Sequence, residues 1–198
     1  RQCLRANRKR IIERFPAFNR LAMIADWVLG NPDAMHYLSG EFLADLLVWY
    51  HLGWIAETVR RSDARVQRLQ DKGSGFNIHD RHELLQIILE MLESVLPRYR
   101  ALAASGRVEL AMSPYAHPIL PLLLDLRAGQ QTEPDAPQPH VDGYPDGAAR
   151  ARWQLRHGRE AFRHHLGVEP RGCWPSEGAL SEPALELIAS EGFEWTAS

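Results

Sequence analysis

The chain has 198 residues, 45% of them hydrophobic, and a formal net charge of −2. That is enough apolar material for one sizeable core, and the near-neutral balance excludes a general electrostatic footprint for nucleic acid or a membrane surface. Cys3 and Cys173 lie far apart with no CxxC spacing, which argues against a disulfide framework or a zinc ribbon. No apolar run reaches the roughly 18 residues of a bilayer span. The basic start RQCLRANRKRIIERF lacks the apolar h-region and cleavage pattern of a signal peptide, so a cytoplasmic location is expected.

The first hundred residues read as helices. Residues 18–29 place Leu21, Ile24, Ala25 and Val28 at helical spacing. Residues 42–59 form a second stretch rich in Leu, Trp and Tyr, in which Trp49, His51 and Trp54 read as core or lid packing. The polar stretch 64–72 ends at the break Gly73-Ser74-Gly75. In HDRHELLQIILEMLESVLP, Asp80 followed by Glu83 resembles a capping box, Leu84, Ile88, Met91, Leu92, Val95 and Leu96 share a face, and Pro97 predicts a kink. Gly106 is placed to end the helix.

From residue 106 the texture changes. Residues 107–112 alternate polar and apolar and predict a strand. SPYAHP is a loop, 119–126 a short helix, and 128–146 a long surface loop rich in Gln, Pro, Asp and Gly. A helix follows from Asp146 or Gly147 through Leu166, then a short strand at 171–174, a helix capped by Ser181 with Pro183 in its first turn, and a strand at 193–197. Alternation of this kind predicts an α/β fold with parallel strands and helical crossovers, with a helical segment over 1–105 and a barrel-like portion over 106–198. In such folds chemistry sits in loops leaving the C-terminal ends of strands. SPYAHP and PSEGALSE are two such loops.

Glu177 follows an expected strand end and precedes the next helix by about four residues. It is either a surface acid at a helix start or a carboxylate held over a cleft, with Trp174 as a platform for the apolar face of a sugar ring. Glu109, opposite Val108 and Leu110 on its strand, is either an exposed edge acid or a cleft-facing one. His117 and Tyr115 in the proline-bounded loop could contact substrate or simply bond a neighbouring carbonyl. His164 and His165 are adjacent on a helix, about 100° apart, and make a poor metal pair. No GxGxxG, GxxxxGK[ST] or GxSxG occurs, which removes the common nucleotide and serine-hydrolase signals.

GRVELAMSPYAHPILPLL and RGCWPSEGALSEPALELIASEGFEW together resemble glycoside hydrolase family 57. Gly106-Arg107-Val108-Glu109 is similar to the family's second sequence region, and Trp174-Pro175-Ser176-Glu177 to its third. The resemblance implies an incomplete (β/α)7 barrel, retaining action on α-glucan, Glu177 as nucleophile, and Glu109 and Trp174 lining the glucan site. The family's first region, a His-Gln-Pro, does not occur, and no Asp follows Glu177 to serve as acid/base. The chain lacks an initiator Met and stops inside an expected strand, so it reads as an internal piece of a catalytic domain, inactive alone.

The expected chemistry is attack by Glu177 on the anomeric carbon, with a second carboxylate about 5–5.5 Å away protonating the leaving oxygen. It needs an oligosaccharide or polysaccharide partner and no cofactor or metal. Two other readings fit less of the pattern. A metal-dependent polysaccharide deacetylase-like barrel requires an Asp and two His as ligands, and the chain has no HxxxH. The other is a non-catalytic module that binds glucan or protein.

Overall fold

Helix α1 (Pro16–Gly30) opens with Pro16 in its first turn, where the missing N–H costs nothing, and buries Phe18, Ala22, Ala25 and Val28 along one stripe. These coordinates belong to a computed structural model that describes residues 2–135, 137–141 and 143–197. Arg1, Ser198, and Ala136 and Asp142 of the loop expected over 128–146 lie outside the described residues. The chain divides into two compact units, one ending at Leu92 and the other beginning at Glu93.

In the first unit, α2 (Gly40–Trp54) packs on α1. Ser39 Oγ accepts from the Phe42 N–H at 3.2 Å and starts it. Gly53 lets the two helices close, since a Cβ there would stand 2.7 Å from Ile11 and 3.4 Å from Phe18. Phe18, Leu52, Val66 and Leu69 are fully buried, each contributing about 1.5–3 kcal/mol of transfer free energy. Trp49 is core, as expected, and its indole N–H donates to the Gly73 carbonyl at 2.7 Å. Buried Asp45 accepts from the N–H groups of Gly75 and Phe76 at 2.8 and 2.9 Å, fixing the turn after α4 (Ala64–Lys72).

Two local expectations are corrected here. The helix expected over 42–59 stops at Trp54. Buried Ile55 takes extended backbone, and a new helix, α3 (Glu57–Ser62), follows. The helix α5 (Ile78–Glu93) is not capped by an Asp80–Glu83 box. Asn77 Oδ1 accepts from the N–H groups of His79 and Asp80 at 2.9 and 3.1 Å, and Asp80 Oδ2 accepts from the Asn77 N–H at 2.9 Å. The reciprocal box is therefore Asn77–Asp80, and Glu83 pairs with Arg68 instead.

In the second unit the expected kink at Pro97 is a break one turn earlier. Helix α6 (Val95–Ala104) is a separate helix with Pro97 in its first turn, where proline is tolerated, and Gly106 follows it with φ 68°. The strand expected over 107–112 reduces to one residue. Met112 forms an isolated parallel bridge to Cys173, while Val108 remains 39% exposed, so the preceding segment has no buried face to hold a ladder. Strand β1 (Gly172–Cys173) pairs in parallel with β2 (Trp195–Thr196), Gly172 opposite Trp195 and Cys173 opposite Thr196. The order across the sheet is thus Met112, β1, β2, all parallel.

Helices α7 (Leu120–Leu124), α8 (Gly147–Leu166) and α9 (Glu182–Ser190) cover this small sheet. Ser181 caps α9, as its position predicts, accepting from the Ala184 N–H at 3.4 Å. Gly147 sits against α7 so closely that a Cβ would fall 1.7 Å from the Leu123 carbonyl oxygen. The start of the long loop is not structureless, since Leu126–Gln131 forms a 3-10 turn begun by Asp125, whose carboxylate accepts from the Arg127 N–H at 2.9 Å. The described residues are mostly helical, with parallel pairing limited to these three short passages. The parallel sense matches the expected α/β alternation, and a barrel is not formed by them. Among the described residues no helix is long and apolar enough to cross a membrane.

Candidate active site

Met112 anchors the site from below. Its N–H donates to Gly172 O at 3.1 Å and its carbonyl accepts from the Trp174 N–H at 2.7 Å, so the SPYAHP loop and the CWPSEG segment leave the sheet side by side in the same direction. Ser113 Oγ donates to the Trp174 carbonyl at 2.9 Å and ties the two again. Pro114 and Pro175 are fully buried and stiffen both exits. The Trp174 ring stays 53% exposed.

The SPYAHP loop is also held from the side by α8. The Tyr115 N–H donates to the Gln154 carbonyl at 3.1 Å, and the Ala116 N–H to Gln154 Oε1 at 2.7 Å. Gly158 permits this approach, because a Cβ there would meet Met112 Cε at 2.9 Å and the Tyr115 nitrogen at 3.2 Å. The His117 N–H closes a turn onto the Pro114 carbonyl at 2.9 Å.

Across from this loop, Glu177 lies in a short turn, Ser176–Gly178, beyond the C-terminal end of β1. Its φ and ψ are 55° and 17°, and His117 has φ 56°. Left-handed backbone is uncommon for residues with a Cβ and clusters at functional positions. His117 Nε2 stands 3.2 Å from Glu177 Oε1. An ionised carboxylate only accepts, so Nε2 is the donor. The Glu177 side chain is 75% exposed. It opens on a cavity of about 500 Å³ whose walls include Ile119, Pro121, Leu122, Thr132 and Leu180. Ala128, Gly129, Gln131 and Thr132, at the front of the long loop, thus form part of the wall around Glu177.

The other expected site residues are arranged differently. Glu109 does not join the His117–Glu177 pair; its Oε1 accepts from Trp195 Nε1–H at 2.7 Å. The Trp195 ring fills the place where a Gly172 Cβ would lie, 2.2 Å from it. Tyr115 joins an aromatic group on α8, with ring centroids 4.3 Å from His157 and 5.8 Å from Trp153. That group escaped the sequence reading. Its signal was Trp153 and His157 at i, i+4 spacing on one helix.

Other titratable groups nearby are spoken for. Burial pushes the Cys173 thiol up to about 11, which removes it as a nucleophile. Arg171 holds the Glu194 carboxyl below its usual range, and Arg156 with Arg152 does the same for Glu191, so neither suits a proton donor. Ser176, beside Glu177, is buried and its hydroxyl has no hydrogen-bond partner among the described residues. Among the described residues no group of three His, Cys, Asp or Glu side chains could hold a metal ion.

The family model for glycosyl hydrolase family 57 matches residues 12–198. No curated protein and no solved structure matches the chain. The match spans the helical first half as well as both motif segments, and the chain belongs to glycosyl hydrolase family 57.

Proposed function

We propose that the chain serves retaining hydrolysis or transfer of α-glucan, with Glu177 as the nucleophile. The observation that carries this reading is the presentation of Glu177. An exposed carboxylate sits in left-handed backbone past the end of a parallel strand, oriented by His117 and open to a cavity. In the reaction Glu177 attacks the anomeric carbon as the bond to the leaving oxygen breaks, and a second carboxylate protonates that oxygen. The glycosyl–enzyme ester is then cleaved by water, or by an acceptor hydroxyl in transfer, with the second carboxylate now acting as base. The Trp174 ring offers its face to a pyranose, and His117 and Tyr115 flank the opening. The family resemblance also assigns Glu109 to the glucan site, where its bond to Trp195 would fix the carboxylate. The acid/base is neither Glu191 nor Glu194, whose arginine partners hold them ionised, and on this reading the 198-residue chain by itself does not turn over glucan.

The test is Glu177→Gln in a form of the enzyme that turns over glucan. The reading expects kcat to fall by about 10³-fold or more with the thermal melt preserved. Turnover near that of the unaltered enzyme would sink the assignment.

A further inference from the structure

A second cavity, of about 450 Å³, is lined by Pro118, Leu123, Tyr144, Arg150, Trp153 and Gln154. Pro118 directly follows His117, so this pocket begins one residue from the His117–Glu177 pair. Trp153 stacks on His157, with centroids 4.7 Å apart and planes 17° from parallel, and meets Tyr115 nearly at right angles with centroids 5.8 Å apart. It is nevertheless 51% exposed and lines the cavity, so part of its ring remains open to a ligand. The Arg150 guanidinium is fixed by two contacts. Its Nε–H donates to the Pro145 carbonyl at 3.0 Å, and its carbon lies 5.7 Å from the centre of the Tyr144 ring. Its two terminal nitrogens make no ion pair among the described residues. Gln154 Oε1 is occupied by the Ala116 N–H, which leaves the Gln154 amide NH2 as a donor.

The pocket therefore combines a partly open aromatic ring with several fixed donors. A pyranose matches that set, since its C–H face stacks on an indole and its hydroxyl oxygens accept from guanidinium and amide. An aliphatic ligand would leave the donors unsatisfied, at a cost. We propose that the Tyr144–Arg150–Trp153–Gln154 pocket is a pyranose-binding subsite, separate from the Glu177 cavity, that holds a further unit of the polysaccharide. It rests on the reading that the chain acts on a polysaccharide, but needs no role for Glu177.

Maltoheptaose binding to the 198-residue chain by isothermal titration tests it. Trp153→Ala is expected to weaken binding by about tenfold, and Trp153→Phe, which keeps a ring, by much less. Should Trp153→Ala melt abnormally, Arg150→Ala carries the same expectation, because Arg150 is exposed and outside the core. Unchanged affinity in well-folded Trp153→Ala and Arg150→Ala would overturn the subsite, whatever Glu177 does in turnover. Absence of maltoheptaose binding by the unaltered chain would overturn it too, while the kinetics of Glu177→Gln judge the catalytic reading separately.

Discussion

His117 Nε2 and Glu177 Oε1 lie 3.2 Å apart across two loops separated by 60 residues, and both residues occupy left-handed backbone. One hydrogen bond between two such positions fixes the direction of the carboxylate. His117 is thus a positioning residue as well as a candidate substrate contact. We predict that His117→Ala lowers kcat by about 10- to 100-fold, the scale of a small misplacement at a reacting centre. His117→Gln, which restores a donor, should recover part of the loss. Equal losses in both variants, carried entirely by KM, would show that the ring contacts substrate and does not orient Glu177.

The backbone of Glu177 makes a second prediction. Left-handed conformation costs an L-residue about 1–2 kcal/mol, and glycine escapes that cost while losing about 0.5–1 kcal/mol through a freer unfolded chain. Glu177→Gly should therefore abolish activity yet stabilise the fold by up to about 1.5 kcal/mol. A thermal melt checks this, and a clear drop in Tm would mean that the bond to His117 contributes more than the backbone costs.

Acid stability should depend on Asp80. Its carboxyl is held below the ordinary value of 3.8 first by Lys72, then by the Asn77 N–H and Arg68. The folded pKa lies below the unfolded one, so this contribution is complete above about pH 4 and is lost as pH falls through the lower folded value. Asp80→Asn should lower stability at neutral pH by about 1–2 kcal/mol, the scale of a helix cap. It should also flatten the decline below pH 4. Urea melts at pH 7 and pH 3 measure both, and parallel losses at the two pH values would contradict the assignment.

Much of this was legible in the sequence because the signals were local. Ser181 with Pro183 and Gly106 after α6 mark helix ends through their own backbone and capping preferences, and Gly147 opens α8. The strand at 107–112 was misread because alternation is only half of a strand. Val108 has no sheet or helix to bury against, and pairing survives only where Met112 meets Cys173. Glu177 and Trp174 could be singled out from a short motif. The partner of Glu177 could not, since a 60-residue separation carries no periodic signal. Nor could the place of Tyr115 in the aromatic group on α8, since Trp153, His157 and Tyr115 become neighbours only once Gly158 lets the loop close.

The nucleophile assignment is tested most directly by covalent trapping with 5-fluoro-maltosyl fluoride. Fluoride leaves the anomeric carbon without needing a proton, so the trap reads the nucleophile whether or not the acid/base carboxylate is present. The account predicts one glycosyl adduct, found by peptide mass spectrometry as an ester on Glu177 and absent from Glu177→Gln. An adduct on another residue, or one that persists in Glu177→Gln, would contradict it.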